Sequence, residues 1–333
     1  MKAIVYEQYG APEVLQLKEV SRPAIKDDEV LLKVFASSIN YGDLLARNFG
    51  NTPPDKMNMP FFFWFMAKIF FGFRKPKIKI LGNEFSGEVV ETGRNVSLFR
   101  TGDKVFGYRA MNMGTYAEYV SMPQNGCISL KPENISFEEA AVLPYGSLTA
   151  LNILKKMKIE PEQKVLVIGA SGSIGSAAVQ VAKYYGAKVT GVCGTERVEF
   201  VNSIGAEKTI DYTKEDFTKS GDKFDLVIDI LGKYSYSQLK NLLTVNGRIL
   251  YISFKTKKLL QMIFTRFTGS KKVICGIAPV LIEDLLEVKR LAEEGKIRTI
   301  IDKKYPFENA AEAHRYIESG NRKANVVLTF LHT

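Results

Sequence analysis

Lys164-Val-Leu-Val-Ile168 runs straight into Gly169-Ala170-Ser171-Gly172-Ser173-Ile174-Gly175, and from there into a stretch of helical spacing that ends near Tyr185. A short apolar run bounded by glycine reads as a buried strand. The turn after it needs residues that tolerate positive φ. A phosphate can reach the backbone only where no side chain intervenes, leaving the amides at the helix N-terminus to bind it. The usual dinucleotide fingerprint is G-x-G-x-x-G, and the spacing here, G-x-x-G-x-x-G, is a variant of it. Alone the string says little; between a strand and a helix it points to a bound pyrophosphate.

The residues downstream supply the rest of such a domain. Lys188–Cys193, Lys208–Tyr212, Phe224–Asp229 and Arg248–Ser253 are strand candidates, with helical spacing over Ile174–Tyr185, Arg197–Ile204 and Tyr234–Leu243. Strands alternating with helices imply βαβ units and a parallel sheet. The second strand ends in Cys193-Gly194, small and uncharged, where an NAD site would carry an acidic grip on the ribose. Thr195 and Arg197 offer a hydroxyl and a guanidinium suited to a 2′-phosphate, whereas Glu196 argues the other way. NADP(H) is expected over NAD(H).

Upstream, Val30–Ala36, Gly87–Glu91, Asp103–Gly107 and Thr115–Val120 are short β-branched and aromatic runs between turn residues. They predict an antiparallel β-rich domain, a closed or partly closed barrel. Ser136 with Glu139 has capping-box spacing and starts a helix. Near the C-terminus, helices over Leu281–Glu294 and Asn309–Ser319 precede a strand at Asn325–Phe330 that is expected to return to the first domain.

Composition sets outer limits. The chain has 333 residues, 46% of them hydrophobic, which suits two globular domains. It opens on a charged strand with no signal-peptide pattern, and its three cysteines are far apart, so a cytoplasmic protein with free thiols is expected. The net charge of +10 is spread without a basic run and fits a polyphosphate ligand; no dedicated nucleic-acid module is expected. Pro60-Phe-Phe-Phe-Trp-Phe-Met-Ala-Lys-Ile-Phe-Phe-Gly-Phe73 is intensely aromatic but too short to span a bilayer. Packing on its own core or on a second subunit, the wall of a substrate pocket, and contact of Phe61–Phe73 with a membrane surface all stand open, the last least favoured.

A catalytic zinc needs Cys, His or carboxylate ligands with one open position. The chain has two histidines, His314 and His332, and no cysteine cluster, so no zinc site is expected. His314, in Ala-Glu-Ala-His-Arg-Tyr, is expected at the surface or half-buried.

Several segments in fixed order resemble the quinone oxidoreductase (zeta-crystallin-like) branch of the medium-chain dehydrogenase/reductase superfamily. They are Ser38-Ile-Asn40-Tyr41-Gly-Asp43, Ile80-Leu-Gly82-Asn-Glu-Phe-Ser-Gly87, Gly102–Gly107, Gly114–Tyr119, Pro144-Tyr-Gly-Ser-Leu-Thr149 and the Gly169–Gly175 turn. The resemblance implies an α/β chain. A GroES-like β-barrel catalytic domain would take residues 1–125 and 275–333, and a doubly wound Rossmann NADP-binding domain residues 126–274. Asn40 and Asn83 stand where zinc relatives carry Cys and His. Thr149 matches a nicotinamide contact, Tyr212 a residue beside the 2′-phosphate, and Leu231-Gly232 a loop passing the nicotinamide. Enoyl-thioester reductases of the superfamily carry a tyrosine near the position of Phe49, so this chain departs from them.

The function expected on these grounds is hydride transfer from NADPH to a quinone or an α,β-unsaturated carbonyl, without zinc. Asn40 would donate to the developing oxyanion, with Tyr41 or water supplying the proton and Asp43 completing the constellation. A homodimer is expected. The alternatives are an alcohol, ketone or enoyl-thioester reductase, or a cofactor-binding protein whose work is protein or RNA interaction.

Overall fold

The computed structural model describes residues 1–320 and 322–332. They form two compact units. The first comprises Met1–Thr52, Ala67–Tyr145 and the chain from Val280 on; the second comprises Pro53–Met66 and Gly146–Pro279.

In the first unit, β1 (Lys2–Val5) pairs antiparallel with β2 (Gln16–Glu19). The main sheet is organised by the long β3 (Glu29–Ile39), buried along most of its length. β4 (Glu84–Thr92) pairs with β3, β5 (Lys104–Tyr108) with β4, β6 (Tyr119–Pro123) with β3, and β7 (Ile128–Leu130) with β5, all antiparallel. The chain then leaves for the second unit, with β8 (Lys164–Ile168), β9 (Lys188–Cys193), β10 (Lys208–Asp211), β11 (Phe224–Asp229), β12 (Leu243–Tyr251) and β13 (Lys272–Cys275). It returns as β14 (Ile301–Pro306) and β15 (Asn325–Thr329). β15 lies antiparallel to β3, with Val326 opposite Ile39, so the last strand does return to the first unit.

Two expectations shift. Residues 126–145 stay with the first unit because β7 closes onto β5, whereas 53–66 and 275–279 group with the second, Cys275 ending β13 and Gly276 N–H bonding Tyr251 O at 2.9 Å. The Thr115–Val120 run becomes a strand only from Tyr119. Before that, Ile4 N–H bonds Tyr116 O at 2.8 Å and Ala3 bridges Ala117, so this stretch serves β1 instead.

The second unit holds a six-stranded parallel sheet of order β10-β9-β8-β11-β12-β13. This is the doubly wound order in which ligands lie at the carboxyl ends of the strands, at the point where the order reverses, here between β8 and β11. Helices on both faces explain why these strands read as nearly continuous apolar runs. Leu166, Ile168, Val192, Val227, Ile249 and Tyr251 form the core on one side. β13 and the Thr256–Phe267 helix before it had no counterpart in the sequence reading.

The aromatic stretch forms the helix Phe61–Phe71. Packing on its own core does not describe it: Phe61, Phe62, Phe63, Phe65, Met66 and Phe70 are exposed, whereas Lys68 and Phe71 are buried. Among the described residues no helix is long and apolar enough to cross a membrane.

Candidate active site

In the first unit, a cluster of polar residues is built at the end of β3. Asn40 N-caps the helix Tyr41–Asn48. Its side-chain oxygen accepts from Gly42 N–H at 2.9 Å, while its own N–H donates to Asp43 Oδ2 at 3.0 Å, a reciprocal capping box. Asn40 Nδ2 donates to Asn83 Oδ1 at 2.6 Å and to Glu84 Oε2 at 3.1 Å. An amide NH2 has two donors, so within the fold Asn40 is fully committed. Asn83 uses only its oxygen in that pair. Tyr41, at the first helical position, is 59% exposed.

Asp43 is fully buried and accepts from Asn40 N–H, from Gly82 N–H at 2.9 Å and from the Tyr116 hydroxyl. Glu84 is buried beside it and accepts from the Ser38 hydroxyl, from Tyr145 N–H at 2.6 Å and from Asn40. Burial pushes both carboxyls up to about 7 against the pull of those donors, and the neighbouring Glu84 charge adds to the rise at Asp43. Burial, with the charges of Glu84 and Asp43, pushes the Tyr145 phenol up to about 12, so it stays protonated at neutral pH.

Behind Asp43 runs a buried chain of polar groups. The Tyr116 hydroxyl donates to Asp43 and lies 3.2 Å from His314 Nε2; Arg47 Nη1 lies 2.9 Å from His314 Nδ1; and Arg47 Nη2 pairs with Glu318. Arg47 can only donate, so Nδ1 accepts and Nε2 carries the proton given to Tyr116. His314 is therefore not at the surface, as its sequence context suggested, but fully buried as one neutral tautomer. Burial first, and the Arg47 charge second, push its pKa down to about 3.

The second unit, by itself, carries the candidate cofactor residues at the carboxyl ends of β8 to β11. Gly169 has φ +86, the conformation the turn demands. A Cβ at Gly175 would collide with the Gly169 carbonyl, so that glycine lets the helix Ser173–Tyr184 approach the strand. A Cβ at Gly172 would meet nothing nearer than Gly169 O at 3.6 Å. Protein packing leaves that space open, as a cradle for pyrophosphate requires. Ala170 is buried; Ser171, Ser173 and Ile174 are partly exposed around the same turn.

At the end of β9, the Gly194 position faces the Tyr212 ring. Tyr212 follows β10 and is exposed. Thr195 donates to Asp211 Oδ2 at 2.6 Å and lies 2.9 Å from the Thr213 hydroxyl. Those hydroxyls hold the Asp211 carboxyl down to about 2, the Thr195 bond leading. The Thr195 proton is thus spent on a carboxylate the sequence reading overlooked, leaving Arg197, just beyond it, as the cationic group at this corner. After β11, buried Asp229 accepts from Gly232 N–H at 2.8 Å and Tyr234 N–H at 3.0 Å, and so shapes the Leu231-Gly232 loop against the Gly169 turn. Thr149 lies half-buried on the helix Pro144–Met157, whose Gly146 packs on Ser173.

Asn40, Tyr41 and Asp43 are thus brought together in one unit, and the predicted cofactor residues in the other. Glu84, Tyr116, His314, Asp211 and Asp229 were missed as site residues. The only signal for Glu84 was its place directly after Asn83.

Two family models match the chain. The alcohol dehydrogenase GroES-like domain family matches residues 26–132, and the zinc-binding dehydrogenase family matches residues 204–328. The donors where zinc would sit do not fit that metal. Asn40 and Asn83 are neutral amides bonded to each other, and among the described residues no group of three or more His, Cys, Asp or Glu is placed to hold an ion. A 2-methylene-furan-3-one reductase of Solanum lycopersicum is 31% identical over 98% of this chain and 79% of its own length. An NADPH-dependent alkenal/one oxidoreductase, chloroplastic, of Arabidopsis thaliana is 30% identical over the same shares. The quinone oxidoreductase structure from Coxiella burnetii superposes with a TM-score of 0.84 at 30% identity, covering 99% of both chains. With its GroES-like and Rossmann units, the chain belongs to the medium-chain dehydrogenase/reductase superfamily, in the branch that includes quinone oxidoreductases and alkenal reductases.

Proposed function

We propose that this protein is an NADPH-dependent reductase that transfers hydride to a quinone or to the β-carbon of an α,β-unsaturated carbonyl, without zinc. The observation that carries the proposal is the Gly169–Gly175 turn, with open space at Gly172 beneath a helix N-terminus. NADPH, when bound, supplies the hydride. The helix N-terminus and Ser171–Gly175 would hold its pyrophosphate. Gly194, Arg197 and Tyr212 would hold the 2′-phosphate end, and Thr149, Leu231 and Gly232 the nicotinamide end. The solved Escherichia coli quinone oxidoreductase complexed with NADPH, 25% identical at a TM-score of 0.81, supports the choice of cofactor.

Negative charge growing on the acceptor oxygen needs a fixed donor. With both Asn40 protons engaged, that role passes to Asn83, which Asn40 orients. Asp43, fully buried, acts as a positioning residue. The proton comes from exposed Tyr41, from Tyr145 or from water. The catalytic role belongs to the GroES-like unit and the NADP role to the Rossmann unit, in a cytoplasmic homodimer that keeps its three thiols free. The test is to follow NADPH oxidation by purified protein with 9,10-phenanthrenequinone, an alkyl enone, an aldehyde and an enoyl thioester. Turnover confined to quinone and enone is expected. Tight NADPH binding with no turnover of either would end the proposal.

A further inference from the structure

Two helices of this fold are turned inside out. On the helix Thr256–Phe267, Leu260, Ile263, Phe264 and Phe267 follow the i, i+3, i+4, i+7 spacing of a buried stripe, yet all four are exposed, Phe264 at 67% and Phe267 at 81%. Its opposite side already meets the core of the second unit through Leu259 and Met262. On the helix Phe61–Phe71 the inversion is more complete. Phe61, Phe62, Phe63, Phe65 and Met66 face outward, whereas the helix's single charge, Lys68, points inward and donates to Gly50 O at 2.9 Å. Burial lowers the pKa of that ammonium. A helix that buries its lysine and exposes five large apolar side chains within six residues suits an apolar medium beside it and not water.

Charge distinguishes what that medium is. Residues 56–83 contain no Asp or Glu, but carry Lys56, Lys68, Arg74, Lys75, Lys77 and Lys79. Residues 230–282 likewise contain no Asp or Glu, against nine Lys and Arg, nearly the whole surplus of +10 that the chain carries. Lys255, Lys257 and Arg266 are exposed on the Thr256–Phe267 helix or next to it, and Lys271 lies just beyond. Aromatic and leucine side chains on the outer face, with cations at its margin that outnumber the exposed Asp55 beside them, are the pattern of a helix lying in the interface of an anionic bilayer. A second copy of this chain fits less well, since a twofold contact would bring the same cations against each other.

We propose that the outer faces of Phe61–Met66 and Thr256–Phe267, both in the second unit, dock this protein onto the surface of an anionic lipid bilayer. The apolar side chains enter the headgroup boundary, and the lysines and arginines sit among the lipid phosphates. The proposal is independent of turnover and of the acceptor.

Trp64 is the only tryptophan in the chain and lies in the docking segment, so its emission reports directly on the event. The full-length protein is mixed with vesicles of phosphatidylcholine alone, and with vesicles of phosphatidylcholine and phosphatidylglycerol. Flotation and Trp64 emission are recorded at low and high salt. Flotation with the anionic vesicles, a blue shift of Trp64, and weakening by salt are expected. Phe264→Ser/Phe267→Ser and, separately, Lys257→Glu/Arg266→Glu should each reduce flotation at least tenfold with the thermal midpoint unchanged, because all four side chains are exposed. No flotation with anionic vesicles at low salt would overturn the proposal, as would undiminished flotation of both variants. A concentration-dependent dimer that both variants dissociate, with no vesicle binding, would assign the surface to a second copy instead.

Discussion

The Tyr116 hydroxyl lies 3.2 Å from His314 Nε2, which must be the protonated ring nitrogen because Nδ1 faces the obligate donor Arg47. Every donor in the chain Arg47–His314–Tyr116–Asp43 therefore points the same way, towards the carboxylate that caps the Tyr41–Asn48 helix and holds Gly82. A protonated His314 would break this order, since Nδ1 would then face the guanidinium with a proton of its own.

Tyr116→Phe removes the link at its centre and leaves His314 and Asp43 each short of a buried partner. A loss of about 1–3 kcal/mol is expected, the cost of a buried group left unsatisfied. Urea unfolding checks this; an unchanged midpoint would mean the hydroxyl contributes nothing to the fold.

His314 also fixes the sign of the acid response. Its pKa falls from an ordinary 6.5 to about 3 in the fold, so between those values the unfolded chain binds a proton that the native state refuses. Stability from this group is present above pH 6.5 and is lost as the pH drops towards 3. At pH 5 the loss is roughly 2 kcal/mol, from 1.36 kcal/mol per unit. His314→Asn cannot take up that proton. The gap in thermal midpoint between it and the parent should narrow from pH 7 to pH 5, and a constant gap would contradict the buried neutral tautomer.

Asp43 and Glu84 act in the opposite direction. Their folded values, raised to about 7 by burial, keep them protonated where the unfolded chain is already ionised, so their contribution to stability declines as pH rises from about 4 to 7. Glu84→Gln keeps the shape and removes the titration. Its kcat/KM profile should lose an inflection near pH 7 that the parent shows, and an identical profile would remove Glu84 from the proton inventory of the site.

The glycine turn allows binding to be separated from folding. Gly172→Val places its side chain in space the protein does not use. The cofactor-free variant should melt with the parent while its NADPH affinity falls at least tenfold, about 1.4 kcal/mol. Gly175→Ala, whose Cβ strikes the Gly169 carbonyl, should lower the melting point instead. If both variants behave alike, the turn is a packing device and not a phosphate cradle.

How much of this was legible in the sequence follows from the physics of each part. Strands β8, β9 and β11 were read to the residue, because a strand covered on both faces is a continuous apolar run with abrupt polar ends. Asn40 and Asp43 were reached only through the family resemblance over Ser38–Asp43; that they form a capping box emerged from the structure. The Asp43–Tyr116–His314–Arg47 chain was not legible, since its members meet only through the fold, Arg47 and His314 being 267 positions apart. Glu84 was missed for a related reason: a glutamate starting a strand reads as solvent-facing unless both faces of that strand are known to be covered, as the first four residues of β4 are. The outward aromatic faces defeat periodicity altogether, because a stripe at helical spacing shows that one side is apolar and not which way it points.

The most direct test of reductase function is to supply NADPH deuterated at the transferable C4 position, together with an alkyl enone, and to locate the label in the product. A single deuterium on the former β-carbon, with NADPH consumed in equal amount and NADH a poor substitute, is the result expected of hydride transfer in this site. Product without deuterium at that carbon, or no product from any enone or quinone despite saturating NADPH, would contradict it.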